Sequence, residues 1–231
     1  MAVQTTTIPE KEHAEGVFHQ FEDIEQQNES YIVGMWTFLV TEVMFFGPLF
    51  FIYIIYRWQY QPEFYLVHKE LDWLLGGINT TVLLISSLTI ALAVHFSQVK
   101  DRKKELLMLG TTIACAFGFL VIKGFEWGKK FSYGMVPGVN FQWGGKNLDP
   151  EVAAVPPRVA EMFFSIYYAM TGLHAIHVVV GIVAIGTLML LIVRKSELVA
   201  SYIPTEMVAL YWHFVDLVWI FLFPLFYLMP K

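Results

Sequence analysis

Five long apolar runs separated by polar connections organise this chain, at about residues 31–56, 71–96, 106–127, 159–193 and 204–229. About twenty apolar residues in a helix cross the ~30 Å hydrocarbon core of a bilayer, so each run predicts a transmembrane helix. Barrel strands would be about ten residues long with alternating polarity, a pattern these runs do not follow. At ~1.5 Å per residue the fourth run is longer than the bilayer requires, so its first turns should project from the surface or lie along it. The predicted fold is all-α, a polytopic membrane helix bundle with five transmembrane helices over residues 31–231, preceded by an acidic, polar tail at 1–30. No internal repeat is visible, and residues 128–158, rich in Gly and Pro, read as a surface loop.

Composition strengthens this picture: 56% of residues are hydrophobic and only 15% charged, which is far to the apolar side of a soluble domain. The net charge of -5 is concentrated in the tail, where seven carboxylates face one lysine, Lys11. With no basic stripe elsewhere, nucleic acid is not an expected partner. The tail has no basic segment leading into an apolar core, so no cleavable signal peptide is expected. Cys115 is the only cysteine, which excludes an internal disulfide and any site in this chain that needs two thiolates.

Basic residues in short loops set orientation. Lys100, Arg102, Lys103 and Lys104 follow the second run, and Arg194 and Lys195 follow the fourth. Those loops are expected on the cytoplasmic side, which puts the N-terminus there and the C-terminus on the outer face. Lys129, Lys130, Lys146, Arg158 and Lys231 are among the basic residues of the outer connections.

The residues a bilayer should exclude carry the candidate chemistry, because intramembrane charge demands a partner. Glu42 falls near the middle of the first run and Asp216 at similar depth in the last, three residues after His213. Lys123 and Glu126 are one turn apart, close enough to pair or to let the lysine snorkel. His174 and His177, at i,i+3, are expected to share a helix face, with interhelical hydrogen bonding favoured over metal or haem ligation. Asn79, Thr80, Thr81, Ser86, Ser87, Thr89 and His95 line the second run and read as packing contacts more than a conduit. Gly76, Gly77, Gly110, Gly118, Gly172, Gly181 and Gly186 are candidate points of close helix approach, and Tyr31, Trp58, Tyr60, Trp73, Trp127 and Tyr227 suit interfacial anchoring.

Four blocks then carry a family resemblance. They are Gly34-Met35-Trp36-Thr37-Phe38-Leu39-Val40-Thr41-Glu42 continuing to Phe46, Asn79-Thr80-Thr81, residues 171–181 with their two histidines, and Glu206 with Tyr211-Trp212-His213-Phe214-Val215-Asp216-Leu217-Val218-Trp219. In this order the chain resembles subunit III of the haem-copper oxidases, most like the cytochrome c oxidase subunit in a five-helix form. The resemblance places Glu42 at the family's buried carboxylate and Glu126 at an acidic residue before an aromatic. It implies an accessory subunit with no catalytic residues and no bound metal, haem and copper being carried by partner subunits I and II. Bound phospholipid and an influence on proton uptake and oxygen access are implied too. Two helices that longer members place before the first run are lacking here, so their lipid cleft does not carry over. Arg194 and Lys195 remain candidates for an anionic lipid headgroup.

The residues independently argue against oxygen reduction by this chain alone. Two haems and a copper need about six histidines spread over several helices. Only His95, His174, His177 and His213 lie within the runs. Other readings are the third subunit of a quinol oxidase, the related nitric oxide reductase accessory protein, a haem-bearing membrane cytochrome b, and a proton-coupled transporter built on Glu42 and Asp216. The transporter is disfavoured because five runs do not divide into repeats.

Overall fold

The computed structural model describes residues 21, 23–138, 141–144, 148–196, 199 and 201–229. Most of the acidic tail, together with Lys146 and Lys231, lies outside the described residues. Among the described residues all regular structure is helical. The long helices are α1 (Ile24–Gln59), α3 (Trp73–Gln98), α4 (Arg102–Ser132), α6 (Pro157–Val193) and α7 (Ile203–Tyr227), each long and apolar enough to cross a membrane. Between them lie two short helices, α2 (Gln61–Val67) and α5 (Pro150–Ala153), and a 3-10 turn at His68–Glu70.

The helix ends follow local chemistry. Asp23, Asp72 and Asp101 each accept hydrogen bonds from first-turn N–H groups of α1, α3 and α4, satisfying donors that a helix start leaves free. Pro157 and Pro204 occupy first turns, where a missing N–H costs nothing. On the opposite ends, α3 and α6 each stop at a lysine in the left-handed region, Lys100 at φ 60° and Lys195 at φ 53°. The following amides of Asp101 and Ser196 close back on Phe96 and Leu191 carbonyls, a turn that usually takes glycine. Lysine there costs roughly 1–2 kcal/mol of backbone strain, offset in part by a cation at the negative end of a helix dipole.

Helices α3, α4, α6 and α7 form a closed ring in which each packs on the next, and α1 lies outside it against α6 and α7. Half of α7's most apolar stretch is buried, against 17% in α1, so α7 is core and α1 periphery. Trp212 and Trp219 of α7 are wholly buried, and their Nε1–H groups donate to Ser86 at 3.1 Å and Thr80 at 3.1 Å on α3. Thr80, Ser86, Ser87 and Thr89 of the second run thus serve as interhelical contacts, while Thr81 bonds only its own helix.

Close approach is concentrated at two glycines. A Cβ on Gly181 would meet Trp212 at 2.6 Å, and one on Gly76 would meet Phe223 and Tyr227 at 2.9 Å. Gly77, Gly118 and Gly186, also expected at helix contacts, face open space instead.

A cap covers one end of the ring. Phe64 of α2 packs on Phe163 of α6 at 5.2 Å, while Phe141 and Trp143 pack on Phe164. Much of the segment expected as open loop is therefore packed structure, and α4 extends into it as far as Ser132. The first turns of α6 project into this cap rather than into water. Tyr53 of α1 donates to the Leu225 carbonyl near the end of α7, one of the acceptors a helix terminus leaves unpaired.

Candidate functional site

The interior of the ring is a seam of polar side chains running its whole length. Near the cap, Lys123 and Glu126 of α4 are paired at 2.9 Å, each only 3% exposed. The lysine Nζ also donates to the hydroxyls of Tyr167 on α6 at 3.0 Å and Tyr227 on α7 at 2.6 Å. Both tyrosines in turn donate to Glu126 Oε1, at 2.8 and 2.6 Å. The ammonium further lies 5.0 Å from the Trp219 ring. Three helices thus supply one saturated set in which no charge is left uncompensated, the condition under which a buried pair is tolerated. Lys123 pairs and does not snorkel. Tyr227, expected at the interface, belongs to this set: one turn beyond Phe223, it lies on the face that Gly76 lets approach α3.

At the next level the bonding thins out. His174 is wholly buried, with its ring packed on Phe119 at 5.5 Å and Trp219 at 5.1 Å. Its two ring nitrogens and the amide of Asn79 have no hydrogen-bond partner, and the Asp216 carboxyl has only the Ser87 hydroxyl beside it. His213 and Asp216 do not bond each other. His213 Nδ1 pairs with Ser87 Oγ at 2.9 Å, and Ser87, which stands near Asp216, is thereby engaged.

His177 diverges from His174. Three residues leave the two side chains only about 60° apart around α6, yet the first ring packs among Phe119 and Trp219 while the second reaches Glu42 on α1. There His177 Nε2 meets Glu42 Oε2 at 2.9 Å, with 13% and 18% of the two side chains exposed. The ring packs at a tilt on Phe46, 5.1 Å away, and Tyr211 donates to the His177 carbonyl at 3.2 Å. Glu42 is therefore, with Tyr53, a polar tie between α1 and the core.

At the far end of the seam sits a group the sequence reading missed. Glu105, with a fully buried side chain, accepts from Arg102 at 2.8 Å and from Thr205 at 2.9 Å, while Arg102 also donates to the Val199 carbonyl at 2.7 Å. This clamp joins the first turn of α4 to the start of α7 and to the connection before it. A carboxylate in the first turn of a helix is ordinary at a surface, and only the fold shows this one covered. Arg194 and Lys195, by contrast, are exposed at the end of α6.

Outside the spans, burial pushes the Glu70 carboxyl up against the opposing pull of Lys130, whose Nζ donates to the Glu70 carbonyl at 2.8 Å. Burial likewise pushes His68 down. Among the described residues, no three of histidine, cysteine, aspartate and glutamate converge as a metal site would require.

A closed ring of apolar helices whose charged groups hold one another defines a polytopic helical membrane protein. The family model described as Cytochrome c oxidase subunit III matches residues 154–230. The Bacillus subtilis (strain 168) protein named cytochrome c oxidase subunit 3 is 28% identical over 224 residues, covering 96% of this chain and 97% of that one. The probable quinol oxidase subunit 3 of Staphylococcus epidermidis is 30% identical over 204 residues, covering 85% and 87%. The Aeropyrum pernix protein named heme-copper oxidase subunit I+III is 31% identical over 207 residues; the similarity covers 84% of this chain but only 22% of that longer protein. The chain belongs to the cytochrome c oxidase subunit III family, the third subunits of haem-copper oxidases.

Proposed function

We propose that this chain is the accessory third subunit of a haem-copper terminal oxidase in an aerobic respiratory chain. It binds no haem or copper of its own and stabilises subunit I, with subunit II, during turnover. The observation that supports this reading most is the saturated network of Lys123, Glu126, Tyr167 and Tyr227. Charge engaged in that way braces helices and offers no open ligand position. Purification from the membrane through a tag on this chain should retain a partner of about twelve or more spans carrying haem and copper. A stoichiometric haem spectrum from this chain alone would overturn the reading in favour of a cytochrome.

The electron donor is either cytochrome c or a quinol, and relatives of both names resemble this chain. Oxygen consumption by the purified complex with each donor separates them. The membrane is the bacterial cytoplasmic membrane, with the N-terminus inside and the cap around α2 and α5 outside. Arg194 and Lys195, exposed at the inner end of α6, contact anionic phospholipid headgroups. Glu42 with His177 is the place where the chain can influence proton uptake or oxygen access, because this pair is close to the membrane midplane and partly open. Asp216→Ala loosens subunit association or shortens the lifetime of turnover while sparing the initial rate. A large loss of initial rate in an intact complex would point instead to a direct proton role.

A further inference from the structure

Basic side chains gather at one end of the bundle, where α3 and α6 stop and α1, α4 and α7 begin. Lys100 follows the end of α3, Lys103 opens α4, and Arg194 and Lys195 follow the end of α6; all four are exposed. The two basic turns are tied together, because Arg102 of the first donates to the Val199 carbonyl beyond the second at 2.7 Å. Among the described residues none of the four cations forms an ion pair, whereas Lys104 pairs with Asp101 at 3.0 Å. Lys100 and Lys195 hold a left-handed backbone that favours glycine, so the turns themselves do not ask for lysine. What each turn gains from it is a cation facing water.

The counter-charge stands at the same end of the same chain. Helix α1 runs with α7, Phe38 meeting Tyr211 and Tyr53 meeting Phe226, whereas α6 runs against α7, His177 bonding Tyr211 and Tyr167 bonding Tyr227. Helices α1 and α6 are therefore antiparallel, and they meet at Glu42 and His177. Glu25 and Arg194 each stand 17 residues from that contact, about 26 Å at helical rise, so they lie at one level. Asp23, Glu25 and Glu29 are exposed there. Residues 1–22 add Glu10, Glu12, Glu15 and Glu22 against Lys11. We infer that this acidic N-terminal segment docks across the chain's own basic rim, on Lys100, Lys103, Arg194 and Lys195. Reach allows it: about twenty residues span ~25 Å even as a random coil, and the end of α3 is two helix spacings from α1, about 16–20 Å. One exposed ion pair adds little, but the tether holds the carboxylates at about mM local concentration, so several pairs act together. The lipid headgroups proposed for Arg194 and Lys195 come from the bilayer, whereas the segment comes from the water side.

Carbodiimide cross-linking of the intact complex in phosphatidylcholine discs tests this, because the reagent joins a carboxylate to a lysine only where the two touch. At about 0.01 M salt, where charges act over ~30 Å, amide links should join Glu10, Glu12 or Glu15 to Lys100, Lys103 or Lys195. At about 1 M salt, where that range falls to ~3 Å, their yield should drop about tenfold. Absence of these links at low salt, links only to a partner chain, or a yield indifferent to salt overturns the inference. Arg194→Gln with Lys195→Gln gives a second reading, since both side chains are exposed and their loss leaves the buried contacts intact. At low salt, trypsin should cut after Lys11 severalfold faster in this variant than in the unmodified complex. Equal rates mean that the segment does not lie on the rim. Neither measurement depends on the electron donor or on which cofactors the partner chains carry.

Discussion

Two carboxylates of this protein each meet a basic partner inside the membrane, and their surroundings differ. Glu126 and Lys123 stand on one helix at i,i+3, sealed to 3% exposure and held by tyrosines from two further helices. Glu42 and His177 meet across two helices with 13–18% of each side chain open and few other polar neighbours. The first pair is part of the ring itself. The second is a clasp by which a peripheral helix holds to that ring. The difference teaches that the depth of an intramembrane charge says less about its work than the number of helices that satisfy it.

The sharpest way to break the comparison is Lys123→Met. It leaves Glu126 buried without its cation and should cost about 3–5 kcal/mol, read as loss of the subunit from the purified complex. Adding Glu126→Leu removes the orphaned charge and should recover most of that loss, although the two tyrosine hydroxyls then lack their acceptor. Recovery by the double variant would show that the pair braces and does not react.

Next in size is Gly181→Ala. The new methyl would meet Trp212 at 2.6 Å and must push α7 from α6, at an expected cost of about 1–3 kcal/mol. The same change at Gly186, where nothing lies within 4 Å, should leave the melting temperature of the complex unchanged.

Glu42→Ala should be milder, on the order of 0.6 kcal/mol, the typical worth of a hydrogen bond between membrane helices. Its mark should be faster hydrogen exchange confined to α1, with the ring's protection untouched. Exchange spreading into α4 or α7 would mean that the clasp is as central as the sealed pair.

The smallest effect concerns the cap. Burial depresses His68 below its ordinary 6.5, so as pH falls below that value the unfolded cap takes up a proton more readily than the folded one. Stability contributed by the neutral ring is therefore present above 6.5 and lost on acidification. Glu70, displaced upward by burial, acts in the opposite sense at lower pH. Hydrogen exchange over residues 61–70 should quicken between about pH 7 and 5.5, and His68→Gln should abolish that pH dependence.

How far the candidate groups could be read from the sequence depended on how local their partners are. Lys123 and Glu126 were legible as a pair because one turn of helix brings them together whatever else the fold does. His174 and His177 follow the same spacing and stand about 60° apart on α6, but that spacing did not show that Trp219 of α7 would take up one and Glu42 of α1 the other. Glu105 left no signal, because its burial depends on Thr205, a hundred residues away. Tyr227 resembled an interfacial anchor for the same reason. Only the approach of α7 to Gly76 and Lys123 shows it to be core.

By itself the sequence determined that the chain is a membrane bundle of five long helices and to which family its polar blocks point, although α1 begins at Ile24, inside the stretch expected as tail. Apolar length, capping residues and motif order are properties of neighbouring residues, and the bilayer allows little besides helices to answer them. Only the tertiary structure decided that four helices close into a ring with α1 outside, and which buried polar groups are satisfied. Those outcomes rest on contacts between residues tens to more than a hundred positions apart, made where two glycines let backbones approach and where each charge had to find its partner.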